Sequence, residues 1–293
     1  MSDSLDWIHV NFSEDAGRKW INDDSGIDPI IASALLDEES RPRILQTAKG
    51  VLLILRGVNL NPGSEVEDMI SVRLWLERNR VVTSSRRPLK SLDAIKTAAD
   101  MGKGPGTPAG FALELIDRLS EYVSEVIEDI ENHLLAAEEE VNDAGAILKN
   151  SPFSQVRRKT ARIRRYLAPQ RDALERLARQ PEPVFDAAHV AQLREQINHV
   201  TLVLEDLELV RERALVAQEE FLGILAHEQN TRMLLLSIVA AIFLPLSFLT
   251  GLMGMNVAGL PGTEDSLAFG IIVGLMVLTA AVILGLFRLK RWL

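Results

Sequence analysis

Residues 233–253 read MLLLSIVAAIFLPLSFLTGLM and residues 267–287 read LAFGIIVGLMVLTAAVILGLF, neither with an ionisable side chain. At 1.5 Å per helical residue each stretch reaches roughly 30 Å, about the thickness of a bilayer's hydrocarbon core. Helices buried in a soluble core seldom avoid charge for so long, so the pattern predicts two transmembrane helices. Pro245 inside the first removes one backbone hydrogen bond. A packed bundle or a wetted pore tolerates that loss better than a lipid-facing helix does.

Charge outside the two stretches sets their orientation. Arg232 precedes the first, and Arg288, Lys290 and Arg291 follow the second, whereas the connecting residues 254–266 hold Glu264 and Asp265 and no lysine or arginine. The excess of basic residues on one side places both chain ends in the cytoplasm and the acidic loop in the periplasm. The start MSDSLDW is polar and acidic, unlike a secretory leader. The expectation is a multi-pass protein of a bacterial inner membrane with a large internal domain.

Working outward, the whole chain has 293 residues, 32 Lys plus Arg against 41 Asp plus Glu, and a formal charge of −9. That balance argues against nucleic acid as a partner, which would need a basic footprint. There is no cysteine, which excludes disulfides, thiolate metal centres and cysteine nucleophiles. Apolar residues at 47% and charged residues at 25% look like an ordinary soluble mixture only because the two kinds are averaged over unlike regions.

Residues 1–108 are expected to form an N-terminal α/β domain. Short apolar or β-branched runs at 7–11, 50–60, 70–76 and 80–84 predict strands, separated by turn signals such as Asn61-Pro62-Gly63. Residues 29–36 and 91–101 have helical spacing, the latter with Ser91 as N-cap. Gly102-Lys103-Gly104-Pro105-Gly106-Thr107-Pro108 lacks the ending of a phosphate loop and reads as a linker.

Residues 109–185 are expected to be a region of long helices. From 111 to 148, acids at 114, 117, 121, 125, 128, 129, 131, 138, 139, 140 and 143 face Arg118 as the one opposing base, while Leu115, Leu119, Tyr122, Val126, Ile130, Leu134 and Val141 make an apolar stripe. After Asn150-Ser151-Pro152 the next helix is basic, with Arg157, Arg158, Lys159, Arg162, Arg164, Arg165 and Arg171. An acidic helix followed by a basic one reads as an antiparallel pair with complementary faces, or as two charge blocks with separate partners. Gln180-Pro181-Glu182-Pro183 breaks the chain again. Beyond it nothing stops a helix until Pro245, so a stalk over 186–232 runs into the first span, a single helix of roughly 95 Å. So long a helix needs partners along it, and homo-oligomerisation supplies them.

Gly254-Met255-Asn256 falls where the first span, 233–253, leaves the membrane. Here the sequence resembles the CorA family of divalent-cation transporters, whose signature is this triplet at the outer end of the first of two C-terminal spans. Leu55-Arg56-Gly57-Val58-Asn59-Leu60-Asn61-Pro62-Gly63, Asp68-Met69-Ile70-Ser71-Val72-Arg73-Leu74-Trp75 and Arg41-Pro42-Arg43 after an acidic run look like the zinc-transporting ZntB branch. The resemblance covers essentially the whole chain. It implies an α+β cytoplasmic domain followed by long helices, assembled as a homopentameric funnel. First spans line a central pore, second spans (267–287) face lipid, and residues 288–293 form a cytoplasmic tail. The implied cargo is Zn2+, with proton-coupled uptake or efflux both proposed for the branch. A channel for Mg2+ or Co2+ is the nearer alternative and Ni2+ a further cargo; no resident cofactor is expected.

On that reading the Asn256 amides would ring the pore mouth and hydrogen-bond the water shell of a hydrated dication, which gives up its water reluctantly. A helix C-cap is the plainer role, and the two coexist. Gly254 would permit a tight exit turn. Inward from there Gly251, Ser247, Leu244, Ala240, Ser237, Met233, Asn230, Ala226, Gly223 and Glu219 recur every three or four residues, one helical face. As pore lining, Leu244 and Met233 would be constrictions, Ser247, Ser237 and Asn230 polar steps, and Glu219 an acidic ring. The same small residues would equally serve helix packing. Glu264 and Asp265 would gather cations at the entrance. The loop Val257-Ala258-Gly259-Leu260-Pro261-Gly262 departs from the pattern typical of the magnesium transporters.

The histidines at 9, 133, 189, 199 and 227 are scattered, without a ligand pair at helical spacing, which speaks against a tetrahedral structural zinc site. His227, beside Glu228 below the span, reads as a solvated stalk residue. No nucleophile, base and orienter come together, so the chain is not expected to be an enzyme. The competing class is a membrane-anchored scaffold or sensor, for which neither the triplet nor the polar face has a use.

Overall fold

A computed structural model describes residues 5–38, 40–144, 152–256 and 267–290, with side chains at 142–144 left aside. The chain divides into two compact units, 1–219 and 220–293.

The first unit is built on one sheet of five strands, β1 (Asp6–Asn11), β2 (Arg43–Gln46), β3 (Val51–Gly57), β4 (Ile70–Leu76) and β5 (Arg80–Ser85), in the order β1-β5-β4-β3-β2. β1 runs parallel to β5 and every other neighbouring pair is antiparallel. β4 is buried along its whole length and β3 at all but Arg56, which is what strands covered on both faces require. Helices α1 (Asp15–Lys19) and α2 (Pro29–Leu36) lie in the first crossover. α2 sets Ile31 and Leu35 into a core with Leu52, Ile54, Trp75 and Val82 on one sheet face. Asp28 caps it, its Oδ1 accepting from the Ile30 amide at 2.9 Å, and Pro29 takes the first helical position.

α3 (Lys90–Asp100) and α4 (Pro108–Ala144) follow the sheet. α4 packs against β3, β4 and β5, with Phe111 fully buried and its ring 4.8 Å from that of Trp7. The glycine-rich stretch between the helices is structured at both ends. Gly102, at φ 72°, ends α3 with its amide donating to Ala99 O while Lys103 donates to Ala98 O. Thr107 starts α4, its hydroxyl accepting from the Gly110 amide at 3.0 Å. α5 (Pro152–Arg179) comes next, its N-terminal turns against the C-terminal turns of α4 around a cavity of about 340 Å³.

Five features differ from the expectations. β2 has no counterpart among the sequence-predicted strands, and the run at 50–60 stops pairing at Gly57. Strands β3, β4 and β5 follow one another as an antiparallel meander instead of alternating with helices. The N-cap of α3 is Leu89, not Ser91, because Leu89 is anchored in the core and its carbonyl accepts from the Leu92 and Asp93 amides. Among the described residues, no ion pair joins α4 to α5. The α4 acids Glu131 and Glu138 are taken by Arg213, while Arg164 and Arg162 of α5 reach Glu208 and Glu67.

The second unit holds the C-terminal part of α6 (Ala187–Met253), a helix that begins in the first unit, and α7 (Ala268–Leu289). Both helices are long and apolar enough to cross a membrane. α7 has no buried residue, and α6 continues unbroken through Pro245.

Candidate functional site

α6 starts on an exposed cap. Asp186 Oδ1 accepts from the His189 amide at 2.9 Å, which holds its carboxyl below the ordinary value. Within the first unit the helix then presents two unlike sides. Leu193, Val200, Val203, Leu204, Leu207, Val210, Ala214 and Ala217 are buried. Leu202, Glu205, Leu209, Glu212, Val216 and Glu219 are all exposed, at spacings of three and four that put them on one side of the helix. Three of these are large and apolar, with Leu202, Leu209 and Val216 exposed by 57%, 56% and 63%.

The alternation of three and four does not stop at Glu219. It continues through Gly223, Ala226, Asn230, Met233, Ser237, Ala240, Leu244, Ser247 and Gly251, all exposed, as are Leu235, Leu236, Phe243 and Phe248 off the line, so that in the second unit the spacing and not the exposure sets these positions apart. Leu244 at 77% and Met233 at 65% are among the most exposed of its large apolar side chains. Sequence reasoning began this line at Glu219 and missed its N-terminal third, from Leu202 to Val216. The signal was available, since the same spacing counted backwards from Glu219 reaches Leu202 without a break.

At the far end α6 stops at Met253. Thr250 Oγ1 donates to Ser247 O at 3.0 Å, and the Gly254 amide donates to Thr250 O at 2.9 Å. Gly254 is not among the described glycines with positive φ, which are Gly26, Gly63 and Gly102. A Cβ there would lie 3.2 Å from Thr250 O, a tight fit. Met255 and Asn256 follow, both exposed. Glu264 and Asp265, with the rest of residues 257–266, lie outside the described residues.

The histidines do not converge. His9 sits on β1 against Thr83 Oγ1 at 2.9 Å, and burial lowers its pKa, with Asp93 opposing and Lys96 reinforcing that shift. His133 contacts the Asp129 carbonyl and His189 the Asp186 carboxylate. Glu228 is engaged with Arg232 at 3.2 Å rather than with His227. Among the described residues no group of three or more His, Cys, Asp or Glu is placed to hold a metal ion. Along α6 the exposed positions alternate carboxylates with apolar groups as far as Glu219 and are mostly small or polar beyond it, and Asn256 follows the helix end.

The family model for the CorA-like Mg2+ transporter protein matches residues 2–291. The divalent cation transporter CmaX of Pseudomonas aeruginosa is 38% identical over 289 residues, 98% of this chain and 87% of that protein. The zinc transport protein ZntB of Yersinia pseudotuberculosis is 28% identical over 98% of this chain and 88% of its own length. The structure of full-length CmaX superposes with a TM-score of 0.84, covering 98% of this chain and 88% of CmaX at 37% identity. The CorA magnesium transporter of Methanocaldococcus jannaschii shares the fold at a TM-score of 0.82 and 18% identity, over 96% of this chain and 89% of that one.

Proposed function

The chain belongs to the CorA family, whose members carry divalent cations across membranes and are not enzymes, and on that premise we propose that it is a zinc transporter working as a homopentamer. The observation that carries this reading is the exposed line on α6 from Leu202 to Glu219, whose spacing runs on through the span to Gly251. Leucines and a valine left in water cost free energy that burial against further copies recovers, at about 25 cal/mol per Å². A face that is apolar and acidic in its N-terminal half, then small and polar, suits helices gathered round an axis with cations passing between them.

In this assembly α7 faces lipid, both termini lie in the cytoplasm, and Gly254-Met255-Asn256 opens on the periplasm of an inner membrane. Asn256 contacts a hydrated dication, as Gly254 lets the chain leave α6 close to its last turn. Ser247, Ser237 and Asn230 provide polar steps and Ala240 and Gly251 keep the path wide. Leu244 and Met233 narrow it where apolar walls shed water. Glu219, Glu212 and Glu205 hold the cation on the cytoplasmic side, and Glu264 and Asp265 concentrate it at the entrance. Zinc over magnesium follows the likeness to ZntB, against which stand CmaX, named only for divalent cations, and the magnesium of the family description.

The test is uptake of zinc and of magnesium into proteoliposomes, with and without an imposed pH gradient, comparing wild type with Asn256→Ala. Zinc flux lost in the variant, with assembly intact, is the expected result, and its rise with the gradient marks proton coupling. Magnesium flux indifferent to the gradient selects the channel, and flux of neither ion restores the anchored scaffold.

A further inference from the structure

All three sequence stretches that resemble the ZntB branch contain an arginine in a strand, and the fold brings two of these arginines, Arg56 of β3 and Arg73 of β4, together. β3 and β4 pair with Arg56 opposite Ser71 and Ile54 opposite Arg73, so Arg56 and Arg73 share one sheet face as diagonal neighbours. Arg73 is 1% exposed, the bulkiest of the fully buried side chains, and its guanidinium stands 4.6 Å from the centre of the Phe12 ring. Its Nη2 donates to Asp37 O and, at 3.2 Å, to Ser40 Oγ, whereas its Nε and Nη1 have no hydrogen-bond partner. Arg56 donates to Met69 O and Ser40 O, each at 2.8 Å, and its Nε is likewise unpartnered.

A buried guanidinium ordinarily sits on a carboxylate, because an uncompensated charge in a low-dielectric setting is costly. Here, among the described residues, no carboxylate stands within ion-pair distance of Arg56 or Arg73. The two acids that line the same cavity are taken by outer arginines: Glu38 by Arg86 at 3.1 Å and by Arg18 at 3.0 Å, and Asp68 by Arg87 at 2.7 Å. Burial, followed by the charge of Arg56, pushes the Arg73 pKa down to about 10. The cavity, about 450 Å³, is thus lined by Arg56, Arg73, Arg86 and Arg87 against Glu38 and Asp68, a surplus of two positive charges.

We propose that this cavity between the sheet and the chain leaving α2 is a binding site for a small dianionic oxyanion, inorganic phosphate or the phosphoryl group of a small metabolite, bonded by the exposed guanidiniums of Arg86 and Arg87 and attracted by the charges of buried Arg73 and half-buried Arg56 beneath them. The chemistry fits in charge and in donor type. Two negative charges cancel the surplus, and guanidinium N–H groups match phosphate oxygens in geometry. The ligand would link the α2 end to β3 and β4, a role in the first unit that does not depend on which cation the protein carries.

The experiment titrates the full-length protein in detergent with sodium phosphate, sodium sulfate, sodium chloride and AMP at matched ionic strength, reading the melting temperature and the heat of binding. A saturable rise with phosphate and sulfate but not chloride is expected, since a ligand bound only by the folded state stabilises it. Tighter binding of AMP assigns the site to a phosphorylated metabolite, and equal or weaker binding assigns it to free phosphate; both support the site. Arg73→Met should abolish the response. Should that variant fail to fold, Arg87→Gln should still fold, losing only the modest anion-free stability of its exposed Asp68 pair, yet bind roughly tenfold more weakly. Equal responses to all the salts, or unchanged affinity in Arg87→Gln, would overturn the proposal.

Discussion

Arg213 on α6 donates to the Glu138 carboxylate of α4 at 2.9 Å, and its other terminal nitrogen reaches Glu131, one heptad earlier on the same helix, also at 2.9 Å. One cation therefore spans two turns of α4 and ties α6 to it by charge as well as by apolar contact. All three side chains are partly exposed, so the pairs are screened and each is modest. Arg213→Ala should destabilise the first unit by about 1 kcal/mol, a fall of roughly 2–4 °C in melting temperature. A double-mutant cycle with Glu131→Gln checks it, and a coupling that persists undiminished at high salt would show that the effect lies elsewhere.

Gly50 precedes β3 where there is no room for a side chain. A Cβ there would fall 2.3 Å from the Leu76 carbonyl oxygen and 3.1 Å from the Trp75 ring. Backbone cannot step aside as a flexible side chain can, so Gly50→Ala should cost about 1–3 kcal/mol. Gly223→Ala, with nothing within 4 Å of its added Cβ, is the control for thermal melting. Equal melting points for the two variants would refute the packing argument.

His9 gives the first unit a pH dependence of known sign. Its pKa is lowered in the folded state, chiefly by burial, so folding favours the neutral imidazole. That contribution is present above the unfolded value of about 6.5 and is lost as the pH falls from there through the lower folded value. Stability should decline between pH 7 and 5 more steeply in wild type than in His9→Asn. Asp68, whose pKa is lowered chiefly by its hydrogen bond from Arg87, adds a second loss of the same sign in more acidic solution. Parallel pH profiles for wild type and His9→Asn would remove His9 from the account.

The exposed apolar positions of the stalk make a prediction about assembly. Replacing Leu202, Leu209 and Val216 together by Asp should leave each chain folded, since none of the three is buried within it, while lowering the mass seen by light scattering or native mass spectrometry. An unchanged mass would place the subunit contacts on another face.

The spans were legible because no ionisable side chain interrupts them, and α6 because no breaker precedes Pro245 inside the first span. β2 was not. Arg43-Ile44-Leu45-Gln46 carries too little pattern to read alone, and it exists because β3 offers it an edge. Arg73 was unreadable as a buried group, since an arginine alternating with apolar residues in a strand suggests a solvent face. Only the fold shows the chain after α2 lying over it. The α4 and α5 charges were legible as blocks, but whether they face each other or separate partners was not, because net charge names no neighbour, and Arg213, which takes Glu131 and Glu138 of α4, lies in the next helix. On the α6 line the spacing of the outer positions was plain in the sequence. Which side of the helix the domain leaves uncovered was not.

The parallel pairing of β1 with β5 joins Asp6 to Arg80 across the full width of the sequence that builds the other strands. On a ribosome adding roughly 5–20 residues per second, β1 emerges several seconds before its partner exists. The meander of β2 to β5 pairs neighbours and closes as it appears, so the sheet grows from its later strands and receives its first-made strand last. The residues of β1 are therefore the ones kept waiting during synthesis, and a fusion placed ahead of them would be carried through that wait.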